Sequence, residues 1–209
     1  MIYHLVKRTI DVSLATVAIV ALAPFLAAIA LVVRLTSRGP ALFKQERVGL
    51  GQRPFTVYKF RSMVADNDEN EHRRYVTALL TCEEPPDGGE PGVFKIVSDP
   101  RVTKVGRFLR RTSLDELPQL FNVLRGDMSL VGPRPALPWE VELYEERHLR
   151  RFQVLPGVTG LWQVSGRSHI GMRDALELDL NYVEERSLAL DVRILIRTIP
   201  SVLVDVNGH

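Results

Sequence analysis

The sequence predicts a mostly helical α+β fold: an N-terminal re-entrant membrane helix, then a compact cytoplasmic domain with a small β-hairpin and amphipathic interfacial helices. Three observations predict it. The tract from Val12 to Val33 contains no charged residue. Two short runs rich in strand formers, Leu42 to Val48 and Phe55 to Phe60, flank a glycine-bearing loop, Gly49 to Pro54. Most of the remaining chain repeats apolar residues at helical spacing. The boundary falls near Arg38, giving a membrane-associated segment at 1–38 and a single cytoplasmic unit at 39–209.

As a helix, the tract from Val12 to Val33 is long enough to cross a bilayer core of about 30 Å. Three readings compete. A signal peptide fits Lys7-Arg8 and the small residues around Ala28, but apolar character continues to Val33 without a polar break. A simple span would place Lys7 and Arg8 outside if the main unit is cytoplasmic. Lys7 and Arg8 at one end, with Arg34 and Arg38 at the other, favour keeping both ends on one side. Pro24, near the middle, removes a helical hydrogen bond and favours a re-entrant hairpin. Asp11 is placed to pair with Lys7 or Arg8 one turn back; the bland alternative is a helix-start charge at headgroup level.

Downstream, Val93 to Val97 reads as a further short strand. Gly106 to Arg111 and Leu117 to Leu124 read as short helices, the second with Pro118 in its first turn. Val131-Gly132-Pro133-Arg134-Pro135 is a stiff loop, because two prolines fix φ on either side of Arg134. Trp139 to Phe152 reads as one charged amphipathic helix, and Pro156-Gly157 as a type II turn. Arg173 to Glu184 places Leu176, Leu180 and Val183 on one face. Ile194, Leu195, Thr198, Ile199, Val202 and Leu203 repeat that spacing in a last helix; packing on the core is the favoured use of this stripe, and lying on a membrane, with Arg193 and Arg197 flanking it, is the alternative. Asp66 to Arg74 and Glu83 to Gly92 are biased stretches that read as surface insertion. The apolar faces permit a homodimer.

Composition excludes several functions. With 27 basic and 25 acidic residues the net charge is +2, too balanced for nucleic-acid binding by bulk charge. Cys82 is the only cysteine, so no internal disulfide forms and a thiolate metal cage is not expected; a reducing, cytoplasm-facing compartment fits. The five histidines stand at no zinc-ligand spacing.

The chemistry-bearing stretch is Arg110 to Pro118. Asp115 and Glu116 are adjacent carboxylates, a set that suits Mg²⁺ shared with substrate phosphate. A bland alternative is a capping box, Ser113-x-x-Glu116. Pro118 argues against it, because it would then stand inside the helix. A start at Leu117-Pro118 leaves the acids just ahead of a helix N-terminus, whose dipole keeps Asp115 ionised as a nucleophile needs. Lys59 and Arg61 alternate on one strand face. With Arg110, Arg111, Arg134 and Arg167 they supply cations at element ends, enough to clamp a diphosphate. A non-catalytic module whose basic loops bind lipid headgroups is the competing class.

The motifs Lys59-Phe60-Arg61-Ser62-Met63, Asp99-Pro100-Arg101-Val102-Thr103, Thr112 to Gln119, Leu130 to Pro135, and Pro156 to Gly160 through Gly166-Arg167 together resemble the bacterial sugar transferases. These are the small monotopic phosphoglycosyl transferases, and the likeness covers nearly the whole chain. The resemblance implies transfer of a sugar 1-phosphate from a UDP-sugar donor to polyprenyl (undecaprenyl) phosphate at the bacterial inner membrane, with release of UMP. It implies a covalent phosphosugar intermediate on Asp115, Mg²⁺ held with Glu116, phosphate or nucleotide contacts from Lys59, Arg61 and Arg134, and a re-entrant helix over Val12 to Val33. Ala23 stands where many members have serine before the proline, and the stretch from Val64 to Gly92 is longer than in the smallest members.

Overall fold

A computed structural model describes residues 2–64, 77, 101–166 and 171–207. Arg167, the strand expected at Val93 to Val97 and both biased stretches lie outside the described residues.

Helix α1 runs from Ile2 to Thr36 and passes through Pro24. It is about 50 Å long at 1.5 Å per residue. Pro24 cannot donate to the Val20 carbonyl, so the helical ladder is interrupted there. Both halves of α1 pack on the rest of the chain. Ala15 joins Val57, Leu120, Val123 and Met128, while Ile29 and Val33 join Phe60 and Leu109. Between those contacts Val17, Val20 and Phe25 are exposed.

Polar residues fasten the start of α1, though not in the expected way. Asp11 pairs with neither Lys7 nor Arg8. Its carboxylate is buried and accepts from the Ser129 hydroxyl at 2.7 Å and the Leu130 N–H at 3.2 Å. Lys7 donates to Asp191 at 3.0 Å, and Arg8 donates to the Val123 and Leu124 carbonyls at 2.6 and 3.1 Å. A one-turn pair on a helix surface is worth only a few tenths of a kcal/mol. Buried partners and the orphan carbonyls of another helix end compete successfully against that.

The hairpin forms as expected: β1 (Leu42–Val48) and β2 (Pro54–Phe60) pair antiparallel in full register, Leu42 opposite Phe60 and Val48 opposite Pro54. Helix α2 is Lys104–Arg111 and α3 is Gln119–Arg125, with Pro118 as its N-cap. Asn122, fully buried on α3, behaves like a piece of strand: its amide donates to the Thr56 carbonyl at 2.6 Å and accepts from the Tyr58 N–H at 3.2 Å. That side chain fixes α3 to the open edge of β2.

A second, parallel pair consists of β3 (Ser129–Val131) and β4 (Gly157–Thr159). Gly157 therefore sits in a strand, and its φ is not left-handed, so the type II turn is not formed. The glycine is required by close approach: a Cβ there would lie 2.1 Å from the Gly132 nitrogen.

Trp139 to Phe152 is not one helix. It splits into α4 (Pro138–Val141) and a 3₁₀ segment, Glu146–Gln153. The Glu140 carboxylate turns back to the Leu137 N–H at 2.8 Å and closes the first turn. Tighter 3₁₀ winding then eclipses residues three apart, which brings His148 and Arg151 together on the buried side. Helix α5 (Leu161–Ser165) and α6 (Met172–Glu185) follow, and α6 buries Leu176, Leu180 and Val183 as the spacing predicts. In α7 (Leu188–Asn207) Ile194 is buried, but Ile199 is exposed and forms an outer apolar stripe with Val192 and Ile196. Five residues are about 140° of rotation, which turns Ile199 away from the core side.

Candidate active site

The acidic pair is placed by a sharp reversal of the chain. Helix α2 is capped by Thr103, whose hydroxyl accepts the Gly106 N–H at 2.8 Å. Gly106 lets α2 lie directly on the chain leaving β2, because a Cβ there would meet the Ser62 carbonyl at 1.9 Å. Beyond α2, Ser113 adopts left-handed φ 55°, ψ 16°, and with Gln52 it is one of two non-glycine residues at positive φ among the described residues. For a residue with a Cβ that conformation costs about 1 kcal/mol, and strain of this kind gathers at functional sites. A 3₁₀ turn, Leu114–Glu116, then leads into Pro118 and α3.

The capping box is not formed. Ser113 makes no side-chain cap bond, and the Glu116 carboxylate points instead to the Lys59 ammonium at 2.7 Å. Asp115 is buried, 8% exposed, while the Lys59 and Glu116 side chains are partly solvated. Adjacent acids thus face different surroundings, one enclosed and one at the surface paired with a cation.

The predicted cations divide. Lys59 donates to Glu116 at 2.7 Å. Arg61, two residues on, is buried and donates to the Ser37 carbonyl at 2.7 Å and the Ser37 hydroxyl at 2.8 Å, just past the end of α1. Its Nε and remaining terminal nitrogen lie buried without a hydrogen-bond partner. Arg110 is half-buried and Arg111 exposed at the end of α2, and Arg34 is exposed at the end of α1.

Arg134 stands half-buried on the loop after β3, which the Val48 N–H joins to the hairpin through the Ala136 carbonyl at 2.9 Å. Around it lie two guanidiniums that sequence reasoning missed. Arg47 is 6% exposed and donates to the Pro135 carbonyl at 3.0 Å. Burial, reinforced by the nearby Arg134 charge and opposed by Glu140 and Glu116, lowers the Arg47 pKa to about 10, so it remains a cation at neutral pH. Arg151 is 5% exposed and donates to Asp179 at 2.5 Å and to the Arg134 carbonyl at 2.7 Å. Burial pushes the Asp179 carboxyl up to about 6, against the pull of Arg151. Arg134, Tyr144, Arg151, Trp162 and Asp179 line a cavity of about 20 Å³, room for one water. Position alone could not identify Arg47 or Arg151, which look like any surface arginine in a charged run. Only their tertiary partners distinguish them.

Among the described residues no three of His, Cys, Asp or Glu cluster as a metal cage. A pair of adjacent carboxylates, completed by substrate oxygens, is still the donor set of a hard ion such as Mg²⁺.

Residues 2–205 match the family described as bacterial sugar transferase. The chain belongs to that family. It is 42% identical over 211 residues to the UDP-glucose:undecaprenyl-phosphate glucose-1-phosphate transferase of Caulobacter vibrioides, covering 97% of this chain and 72% of that one. It is 43% identical over 199 residues to the undecaprenyl-phosphate galactose phosphotransferase of Salmonella typhimurium, covering 94% of this chain and 40% of that one. To the galactosyl transferase CpsE of Streptococcus agalactiae it is 45% identical over 167 residues, 79% of this chain and 35% of the relative. The chain thus spans less than half the length of two of these three relatives.

Proposed function

We propose that this bacterial sugar transferase moves a sugar 1-phosphate from a UDP-sugar to polyprenyl phosphate at the cytoplasmic face of the bacterial inner membrane. The observation that carries the reading is the acidic turn. Asp115 is enclosed between a strained Ser113 and the start of α3, Glu116 is turned to Lys59, and the Ser113 side chain makes no capping bond.

An Asp115 carboxylate oxygen attacks the sugar-bearing phosphorus of the donor. The bond to the bridging oxygen breaks, and UMP leaves with that oxygen and its electron pair. A polyprenyl phosphate oxygen then attacks the same phosphorus and displaces the Asp115 carboxylate, giving the polyprenyl diphosphate sugar. Storing the group on the protein means that a soluble donor and a lipid acceptor need not meet. Lys59 holds Glu116 in place, and Arg134 supplies charge to the diphosphate and leaving nucleotide. Asp115 and Glu116 would hold Mg²⁺, which when bound neutralises diphosphate charge. The packing of both halves of α1 on one body supports a re-entrant helix, and its outward Val17, Val20 and Phe25, with Val192, Ile196 and Ile199 on α7, would meet lipid.

The test uses radiolabelled UDP-sugars with Mg²⁺ and no acceptor. A sugar-phosphate adduct that survives denaturation, is lost in Asp115→Asn and is discharged by polyprenyl phosphate is expected. Neither adduct nor UMP release across a panel of UDP-sugars would leave a lipid-binding module as the better reading.

A further inference from the structure

The proline loop that carries Arg134 is held by an unusual set of donors. Pro133 and Pro135 have no N–H, so the loop offers its neighbours mainly carbonyls. Three in succession are taken: Pro133 by the Gly157 N–H at 2.8 Å, Arg134 by Arg151 at 2.7 Å and Pro135 by Arg47 at 3.0 Å. With φ fixed by the rings and each carbonyl pinned, the Arg134 side chain leaves the backbone in a single direction.

Arg151 is the centre of this clamp. One terminal nitrogen donates to the Tyr144 hydroxyl at 2.6 Å, the other to both Asp179 and the Arg134 carbonyl, and the guanidinium lies 5.3 Å from the Tyr144 ring centroid. Burying such a pair is a poor route to stability, since apolar side chains of the same volume serve as well or better. A planar guanidinium fork, however, fixes an acceptor in direction as well as distance.

We propose that Arg151, oriented by Asp179 and Tyr144, is a positioning residue that aims Arg134 at the donor's phosphates. This rests on the reading of Arg134 as a phosphate-binding residue, and it assigns Asp179 and Tyr144 to the support of the site although neither need touch substrate.

The experiment compares wild type with Arg151→Lys, Arg151→Met, Arg134→Ala and the combination of Arg151→Lys with Arg134→Ala. Lysine keeps the charge against Asp179 but lacks the planar fork whose two nitrogens serve Tyr144 on one side and Asp179 with the Arg134 carbonyl on the other, so it tests the clamp even if Arg151→Met fails to fold. Two readouts are taken: hydrogen exchange at the Val48 and Gly157 amides, which bond to the loop, and the donor KM and kcat. In Arg151→Lys, exchange at both amides is expected to accelerate and donor KM to rise about tenfold with kcat nearly constant, a moderate effect for misplaced positioning. Because Arg151 acts through the Arg134 side chain, the combined variant should show the KM of Arg134→Ala alone. Unchanged exchange, or KM effects that multiply, would overturn the proposal. If wild type turned over no UDP-sugar, the proposed reaction would fail while amide exchange still decided whether Arg151 holds the loop.

Discussion

Asp191→Ala tests how the start of α1 is held to the rest of the chain. The Asp191 carboxylate receives the Lys7 ammonium at 3.0 Å and the Tyr3 and Tyr182 hydroxyls at 3.1 and 2.7 Å. These losses are unequal. The Tyr182 hydroxyl is also within 3.1 Å of the Val131 carbonyl, and Tyr3 is half-buried with access to water, so each retains an acceptor. Lys7, with 14% of its side chain exposed, is left as a nearly buried cation. Breaking a buried pair by removing one partner costs 3–5 kcal/mol, and with that residual solvation the lower end, about 3 kcal/mol, applies. Removing the cation as well, in Asp191→Ala with Lys7→Met, should recover about 2 kcal/mol, because most of the cost is an uncompensated charge. Denaturant unfolding of the detergent-solubilised protein measures both. A single-variant loss under about 1 kcal/mol, or a double variant no better than the single, would refute the claim that this network fastens α1.

Other outcomes follow from single residues. Gly157→Ala puts a Cβ 2.1 Å from the Gly132 nitrogen, so β3 and β4 must separate; a loss of about 1–3 kcal/mol, with a lower Tm, is expected. Ser113→Gly relieves the left-handed backbone, which outweighs the added chain entropy, and should raise stability by about 0.5 kcal/mol in thermal unfolding. Asp179 has a folded pKa raised to about 6 from 3.8, so the folded protein binds the proton more tightly than the unfolded chain. Its contribution is therefore fully present below pH 4 and falls by about 3 kcal/mol as the pH rises to 6. The stability difference between wild type and Asp179→Asn should change by that order across this range and be flat above it.

What the sequence determined was local. An uncharged apolar tract makes α1, alternation and a glycine-bearing turn make the hairpin, and proline at the start of α3 keeps the two acids outside that helix. Each of these depends on residues within a few positions of one another. The tertiary structure decided which charges are spent on holding the fold. Lys7, Arg8 and Asp11, read from sequence as charges at the membrane end of the helix, are buried or half-buried in contacts with residues more than 100 positions away. Lys59 and Arg61 share a strand face, yet one meets the acidic turn and the other the end of α1. The amphipathic run from Trp139 to Phe152 has the pattern of a helix, but the demand for buried partners at His148 and Arg151 winds it more tightly. A charge in a sequence has no fixed partner, because its energy depends on burial and on which opposite group or carbonyl the folded chain brings within about 3 Å.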